Sequence, residues 1–185
     1  ARRRLAALAA PVGQSGAAGM STPVQAGGTF ALPDPAATEA LGRRLAAALP
    51  PQPVVAYLEG DLGAGKSTLA RALLRALGVT GTIRSPTYTL VEPYVLADGR
   101  EALHLDLYRI ADPAELDYLG LEPGLARLWL VEWPRRGQGL LPPADLAIAL
   151  ELAGDGRCAR LQAHSAAGRA WLGALQAGGG EGAGG

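Results

Sequence analysis

Apolar residues in the middle of the chain follow two spacings, one typical of β-strands and one typical of α-helices. Short apolar or alternating runs predict strands, and apolar residues that recur every three or four positions predict helices. Strand patterns occupy residues 29–32, 54–59, 87–94, 102–106, 127–132, 145–152 and 157–163. Helix patterns occupy residues 35–49, 67–77, 113–120 and 166–176.

Capping and turn residues separate these segments. Asp34 and Asp112 each precede a proline, which is typical of an N-cap followed by the first turn of a helix. Ser165 is expected to cap the last helix, and Gly78 to end the second one. Gly154-Asp-Gly156 predicts a hairpin turn between the last two strands. The sum is a three-layer α/β domain with a mixed sheet and helices on its faces.

Length and composition favour one globular domain. The chain has 185 residues, of which 49% are hydrophobic. Residues 1–28, with Arg2–Arg4 near the start, can be interpreted as a targeting segment. Because Met20 resembles a natural start, we favour an over-extended reading frame for the first nineteen residues. We expect residues 1–28 to be disordered, 29–177 to form the domain, and 178–185 to be a flexible glycine-rich tail.

Charge and cysteine content narrow the class of function. Lys+Arg and Asp+Glu are both 17, whereas a protein that binds RNA alone usually carries a basic excess. The balance still allows work beside an RNA-binding partner. Cys158, the only cysteine, cannot form an internal disulfide, which fits a reducing compartment. No run of 18 apolar residues is present, so we expect no membrane span. The expected location is the cytoplasm.

The only lysine of the chain lies in a glycine-rich loop. Sixteen of the 17 basic residues are arginine, so a position that keeps lysine is expected to need its slim stem and compact charge. Lys66 belongs to Gly60-Asp-Leu-Gly-Ala-Gly-Lys-Ser67, which matches the phosphate-loop pattern G-x-x-x-x-G-K-S/T. A strand pattern before it and a helix pattern after it are the context that the motif requires. A chance match in a glycine-rich chain is the alternative.

This loop predicts a P-loop NTPase fold that binds a nucleoside triphosphate and Mg²⁺. Backbone N–H groups would cradle the phosphates, Lys66 would reach the β- and γ-phosphates, and the Ser67 hydroxyl would ligate Mg²⁺. GTPases of this fold read guanine with a segment that needs a second lysine, so we expect ATP. The residues expected to bind the nucleotide are Asp61, Leu62, Gly63, Ala64, Gly65, Lys66, Ser67 and Thr68.

Two carboxylates follow apolar strands and are candidates for metal binding and catalysis. Asp106 ends the strand 102–106 and Glu132 ends the strand 127–132. Ligands of open α/β sheets lie at the carboxyl ends of parallel strands, so either acid could approach Ser67. One could bind Mg²⁺ while the other orients the attacking water, and the sequence does not divide these roles. The alternative is that each acid merely ends its strand.

Other polar and aromatic residues near these acids allow two interpretations each. His104 shares a strand face with Asp106 and could orient the site, or it could be a structural histidine. Trp133 could cover the site or pack in the core. Residues 80–89 follow the loop helix where a phosphate-sensing switch usually lies, and Ser85 and Thr87 could contact the γ-phosphate or the metal. An ordinary helix-to-strand connection is the alternative for that segment.

Several of these motifs together resemble one family. The segments that carry the resemblance, in matching order and spacing, are Gly60–Thr68, Ser85–Tyr94, His104–Arg109, Ala111–Pro113 and Val131–Pro134. They are similar to the bacterial tRNA threonylcarbamoyladenosine biosynthesis family TsaE, which consists of small P-loop ATPases. The resemblance covers residues 30–175 and neither tail. Ser67 stands where the family commonly has threonine, and it keeps the hydroxyl.

The resemblance implies a role in making threonylcarbamoyladenosine beside the anticodon of tRNA. Members of the family bind and hydrolyse ATP while docked on the TsaB–TsaD pair, TsaD transfers the group, and hydrolysis resets the assembly. The resemblance therefore implies that the protein contacts tRNA only indirectly, through these partners. The roles carried over by position are phosphate and Mg²⁺ binding for Lys66 and Ser67, metal binding for Glu132, hydrolysis for Asp106, the switch for Ser85, Thr87 and Thr89, and adenine contact for Thr38.

Two other functions are compatible with the same loop. A small-molecule kinase would need an acceptor pocket, usually under a lid with clustered arginines. Arg109 and Arg135-Arg136 are present, but no insertion has the length of a lid. A nucleotide-dependent docking module with negligible turnover is the non-enzymatic alternative.

Overall fold

The computed structural model describes residues 26–119 and 126–178, so the expectations for the two ends of the chain lie largely outside the described residues. Within this part, seven strands form one sheet in the order β1-β7-β6-β2-β5-β4-β3. The strands are β1 (Gly27–Leu32), β2 (Val54–Glu59), β3 (Val91–Val95), β4 (Glu101–Asp106), β5 (Leu128–Glu132), β6 (Leu146–Ala153) and β7 (Gly156–Ala163).

The four central strands of the sheet are parallel, and antiparallel strands extend it on both sides. β2 pairs in parallel with β5 and β6, and β4 pairs in parallel with β5. β3 runs antiparallel to β4, while β7 runs antiparallel to β6 and β1. The predicted mixed sheet is therefore confirmed. The carboxyl ends of β2, β4, β5 and β6 meet at one edge, where ligands of such sheets bind.

In the described ranges, three α-helices pack on one face of the sheet: α1 (Pro35–Ala47), α2 (Lys66–Ala76) and α3 (Ala166–Ala177). The N-caps of α1 and α3 are the predicted ones. The Asp34 carboxylate accepts a hydrogen bond of 2.7 Å from the Ala37 N–H, and the Ser165 hydroxyl accepts one of 3.0 Å from the Gly168 N–H. Such caps satisfy N–H groups that the first helical turn leaves unpaired.

The described residues form two apolar core clusters, one on each face of the sheet. The larger cluster packs helix residues such as Leu45, Leu69 and Trp171 against the strands, and each fully buried leucine contributes about 1.5–3 kcal/mol. The smaller cluster packs Leu105 and Trp129 of the opposite face. Among the described residues, that face is covered by loops and by two 3₁₀ segments, Pro113–Leu119 and Pro134–Gly137. The layer of loops and 3₁₀ segments on this face is thus thinner than the layer of α-helices on the other face.

Two predicted elements differ from the structure. The predicted strand 87–94 is wrong in its first half, because residues 86–89 form a turn and β3 begins only at Val91. Leu90 closes this turn with φ of 64°, and its N–H donates to the Pro86 carbonyl. The helix predicted over 113–120 is a 3₁₀ segment within its described part. Alternation alone therefore misplaced the start of the strand by four residues.

Candidate phosphate-binding site

The glycine-rich loop joins β2 to α2 at the carboxyl edge of the sheet. Gly60, Gly63 and Gly65 have φ of 135°, 80° and 106°, a left-handed region that side chains rarely adopt. A Cβ at Gly60 would also lie 2.3 Å from the Leu150 carbonyl oxygen of β6. The backbone conformation of the loop therefore requires the glycines of the motif.

Lys66, the first residue of α2, is held inside this loop. Its Nζ donates to the carbonyl oxygens of Gly60 at 2.8 Å and Asp61 at 2.9 Å. The ammonium also lies 4.2 Å from the centroid of the Trp133 ring, a cation–π distance. The residue is only 4% exposed. Burial lowers the pKa of Lys66, although the nearby acids, chiefly Glu132, oppose the shift.

Glu132 ends β5 and faces the start of α2. Its Oε2 accepts a hydrogen bond of 3.0 Å from the Ser67 hydroxyl, and its Oε1 lies 2.8 Å from His104 Nε2. Glu132 and His104 are almost fully buried. The carboxylate is thus fixed through both oxygens, with one of them beside the hydroxyl of the phosphate-loop motif.

Asp106 lies beside Glu132 but has different partners. The two acids are directly paired in the register of β4 and β5. Asp106 Oδ2 accepts from the Thr87 hydroxyl at 2.7 Å, and Oδ1 accepts from the Tyr108 N–H at 3.0 Å. Glu132 therefore contacts the loop helix, whereas Asp106 contacts the turn at 86–89.

Two of the three predicted switch residues join the site. The hydroxyls of Ser85 and Thr87 are 2.9 Å apart, and Thr87 continues the chain of contacts to Asp106. The Thr89 hydroxyl instead donates to Glu92 Oε1 at 2.8 Å, and it has no hydrogen bond to Asp106 or Glu132 among the described contacts. The backbone supports the same connection, because the Asp106 N–H donates to the Leu90 carbonyl at 3.0 Å.

A cavity of about 400 Å³ lies in front of these groups. It is lined by parts of the loop and by Thr87, Asp106, Glu132 and Trp133. The Trp133 ring covers the Lys66 ammonium, which favours the first of its two predicted roles. Among the predicted loop residues, Leu62 is exposed at the rim, while Ala64 is buried in the core.

Two further residues line the cavity that the sequence did not single out as site residues, Tyr108 and Arg109. The Tyr108 ring lies 5.1 Å from the Trp133 ring, and the Arg109 guanidinium lies 4.4 Å from the centroid of the exposed Tyr88 ring. Both follow Asp106 within three positions. Their place just beyond the carboxyl end of a strand was the available signal.

Thr38 is not among the residues that line the cavity. It is 1% exposed on α1, and its methyl group would be 3.6 Å from a Cβ at Gly65. The Thr38 side chain is therefore buried close to Gly65 of the loop. Its predicted contact with adenine stays a prediction.

The donor set near Lys66 fits Mg²⁺ bound together with a phosphate group. Ser67 and Glu132 offer hydroxyl and carboxylate oxygens, which are the donors that Mg²⁺ prefers. Within residues 26–119 and 126–178, no group of three or more His, Cys, Asp or Glu side chains could hold a metal by itself. Mg²⁺ commonly uses one or two carboxylates and completes its shell with phosphates and water, so the two observations agree.

None of the helices in the described ranges is long and apolar enough to cross a membrane.

The sheet, the glycine-rich loop between β2 and α2, and the acids at the neighbouring strand ends define a P-loop fold of the α/β class. A sequence model of the family "Threonylcarbamoyl adenosine biosynthesis protein TsaE" matches residues 32–160. The match spans more than half of the chain, and the chain belongs to this family.

Individual relatives agree with this assignment. The tRNA threonylcarbamoyladenosine biosynthesis protein TsaE of Haemophilus influenzae is 44% identical over 118 residues, which are 63% of this chain and 74% of that protein. The TsaE protein of Bacillus subtilis is 38% identical over 125 residues, which are 66% and 76% of the two chains. The crystal structure of Bacillus subtilis YdiB superposes with a TM-score of 0.68 at 27% identity, covering 84% of this chain and 97% of that one.

Proposed function

We propose that this protein binds ATP with Mg²⁺ and hydrolyses it within the machinery that makes threonylcarbamoyladenosine in tRNA. The observation that carries the proposal is the convergence of Lys66, Ser67, Glu132 and Asp106 at one cavity. These residues come from a loop helix and two neighbouring parallel strands. Membership of the TsaE family supplies the biological setting.

Each group has a role that follows from its position. The loop N–H groups and the Lys66 ammonium bind the phosphates, because they form a positively polarised cradle at a helix N-terminus. Ser67 and Glu132 hold Mg²⁺, which when bound neutralises charge on the phosphate oxygens. Asp106 orients the attacking water, and its contact with Thr87 couples the site to the turn at 86–89.

ATP is the preferred nucleotide in this proposal. Its hydrolysis is proposed to drive a conformational change in a protein assembly. The chain has no second lysine for a guanine-reading segment. Its formal net charge of zero fits a cytoplasmic component that docks on the TsaB–TsaD pair and meets tRNA only through these partners. Turnover is expected to be weak in their absence.

Phosphate release from ATP tests this proposal. The purified protein is measured alone and with the TsaB–TsaD pair, and we expect release to rise only with the pair. Lys66→Ala should abolish nucleotide binding, whereas Asp106→Asn should keep ADP binding and lose about 10²-fold or more in turnover. Transfer of phosphate to a metabolite without the partners would identify a kinase. Binding without turnover in either condition would identify a docking module.

A further inference from the structure

His104 is a buried polar residue in an apolar part of β4. It is 1% exposed, and its neighbours on this face of the sheet include Ala102 and its register partner Leu130. Its Nδ1 has no hydrogen-bond partner among the described residues. Burying a polar group without full compensation costs free energy, so an apolar residue would serve packing alone better.

In the described part of the chain, the one hydrogen bond of the His104 side chain is with Glu132. Nε2 lies 2.8 Å from Oε1, and both side chains are 2% exposed. An ionised carboxylate only accepts hydrogen bonds, and Nε2 of an imidazole can donate to it. A glutamate side chain has three rotatable bonds, and this contact restrains the carboxylate through the oxygen that does not contact Ser67.

We propose that His104 is a positioning residue for Mg²⁺ binding: it holds the Glu132 carboxylate so that Oε2 stays beside the Ser67 hydroxyl. This inference rests on the proposed function of the same site. Partners that orient a ligand residue typically change metal affinity by about 10- to 100-fold when they are removed. His104 does not itself contact the phosphate cavity, whose lining includes Glu132 and Asp106 instead.

Binding of ADP with and without Mg²⁺ tests the inference without any measurement of turnover. Isothermal titration calorimetry on the full chain gives the ADP affinity in Mg²⁺ and in EDTA, and the ratio is the magnesium gain. For His104→Leu we expect the magnesium gain to fall by about 10- to 100-fold while the affinity in EDTA is unchanged. His104→Gln should recover part of the gain, because its amide N–H can donate to Glu132.

Leu105→Ala is the matched control. Leu105 is fully buried on the same strand but belongs to the cluster on the opposite face. It should lose stability and keep the magnesium gain. If His104→Leu does not fold, His104→Asn replaces it, because the shorter amide cannot reach Glu132 and should lose the gain that Gln retains.

The outcomes are distinct. Equal magnesium gains in the wild type and in the variants that remove the contact would overturn the positioning role. A parallel loss of affinity in EDTA, or the same loss of gain in Leu105→Ala, would also overturn it, because either result indicates a general structural effect. A wild-type protein without any magnesium gain would instead refute the proposed function.

Discussion

The Lys66 side chain fits an enclosed space in the loop and places its charged ammonium group beside hydrogen-bond acceptors. Its ammonium donates to two loop carbonyls and lies under the Trp133 ring while the residue is 4% exposed. The planar guanidinium of arginine would need more room at this enclosed point. The burial that favours lysine over arginine at this position also lowers the pKa of Lys66. Keeping the ammonium charged in the folded protein therefore costs free energy.

The pKa of Lys66 leads to a prediction about stability and pH. Between the lowered pKa of the folded state and the ordinary value of 10.5, the unfolded chain binds more protons than the folded one. The free energy of unfolding contributed by Lys66 therefore rises with pH in this window. Lys66→Met lacks the titrating group, so the stability of the wild type relative to this variant should increase as the pH rises toward the ordinary pKa of 10.5.

Urea denaturation at several pH values measures this difference. Burial also raises the pKa values of Tyr57 and Tyr94, but both tyrosines are present in the two proteins and their effects cancel in the comparison. A difference in the free energy of unfolding that does not change with pH would contradict the prediction.

At the scale of elements, close packing of α1 on α2 places the phosphate loop. Gly42 of α1 faces Ala72 and Leu69 of α2, and a Cβ at Gly42 would lie 2.8 Å from the Ala72 Cβ and from the Leu69 carbonyl oxygen. The two helices can approach this closely only because position 42 has no side chain. Since the loop ends at the start of α2, this contact also sets the position of Lys66 and Ser67.

The same substitution at two helical glycines should have opposite effects. Gly42→Ala should lower the free energy of unfolding, by about 1–3 kcal/mol, because backbone and a Cβ of α2 must move. Gly173→Ala on α3 is the control, because no described atom lies within 4 Å of its Cβ position. It should stabilise the protein by up to about 1 kcal/mol through helix propensity. Thermal and urea unfolding of both variants measure these changes, and equal effects would rule out the steric explanation.

At the scale of the whole molecule, the sheet order brings distant segments to one edge. β5 lies between β2 and β4, so Glu132 is near both the loop after β2 and Asp106 at the end of β4. A ligand that binds this edge contacts several segments at once. Its binding free energy therefore adds to the stability of the folded domain as a unit.

Magnesium and ADP together should raise the melting temperature of the wild type. At a ligand concentration of about 100 times Kd the stabilisation is about 2.7 kcal/mol, which for a domain of this size is a shift of roughly 5–10 °C. Differential scanning fluorimetry measures the shift. Lys66→Ala should show none. Arg160→Ala, which removes an exposed ion pair with Glu151, should keep it. A full shift in Lys66→Ala would exclude the loop as the binding site.

Much of the fold could be predicted because the deciding interactions are local. β2 occupies the predicted residues, and both Asp34 and Ser165 cap helices as expected, since a cap bonds only to a residue three positions away. The prediction of a strand over 87–94 was wrong in its first half for the opposite reason, because a contact between distant segments decides the conformation there. Thr87 donates to Asp106 of another strand, and the backbone of residues 86–89 turns to allow that contact.

The sequence by itself determined the loop and its lysine, because the glycine conformations and the start of α2 depend on residues within one short segment. The sequence also identified Asp106 and Glu132 as candidate site residues, but it did not show which groups each carboxylate contacts. Only the tertiary structure decided that Glu132 faces Ser67 and His104 while Asp106 faces Thr87. The reason is physical: these partners come together through the order and register of parallel strands, and pairing between segments that are distant in the chain leaves no local pattern.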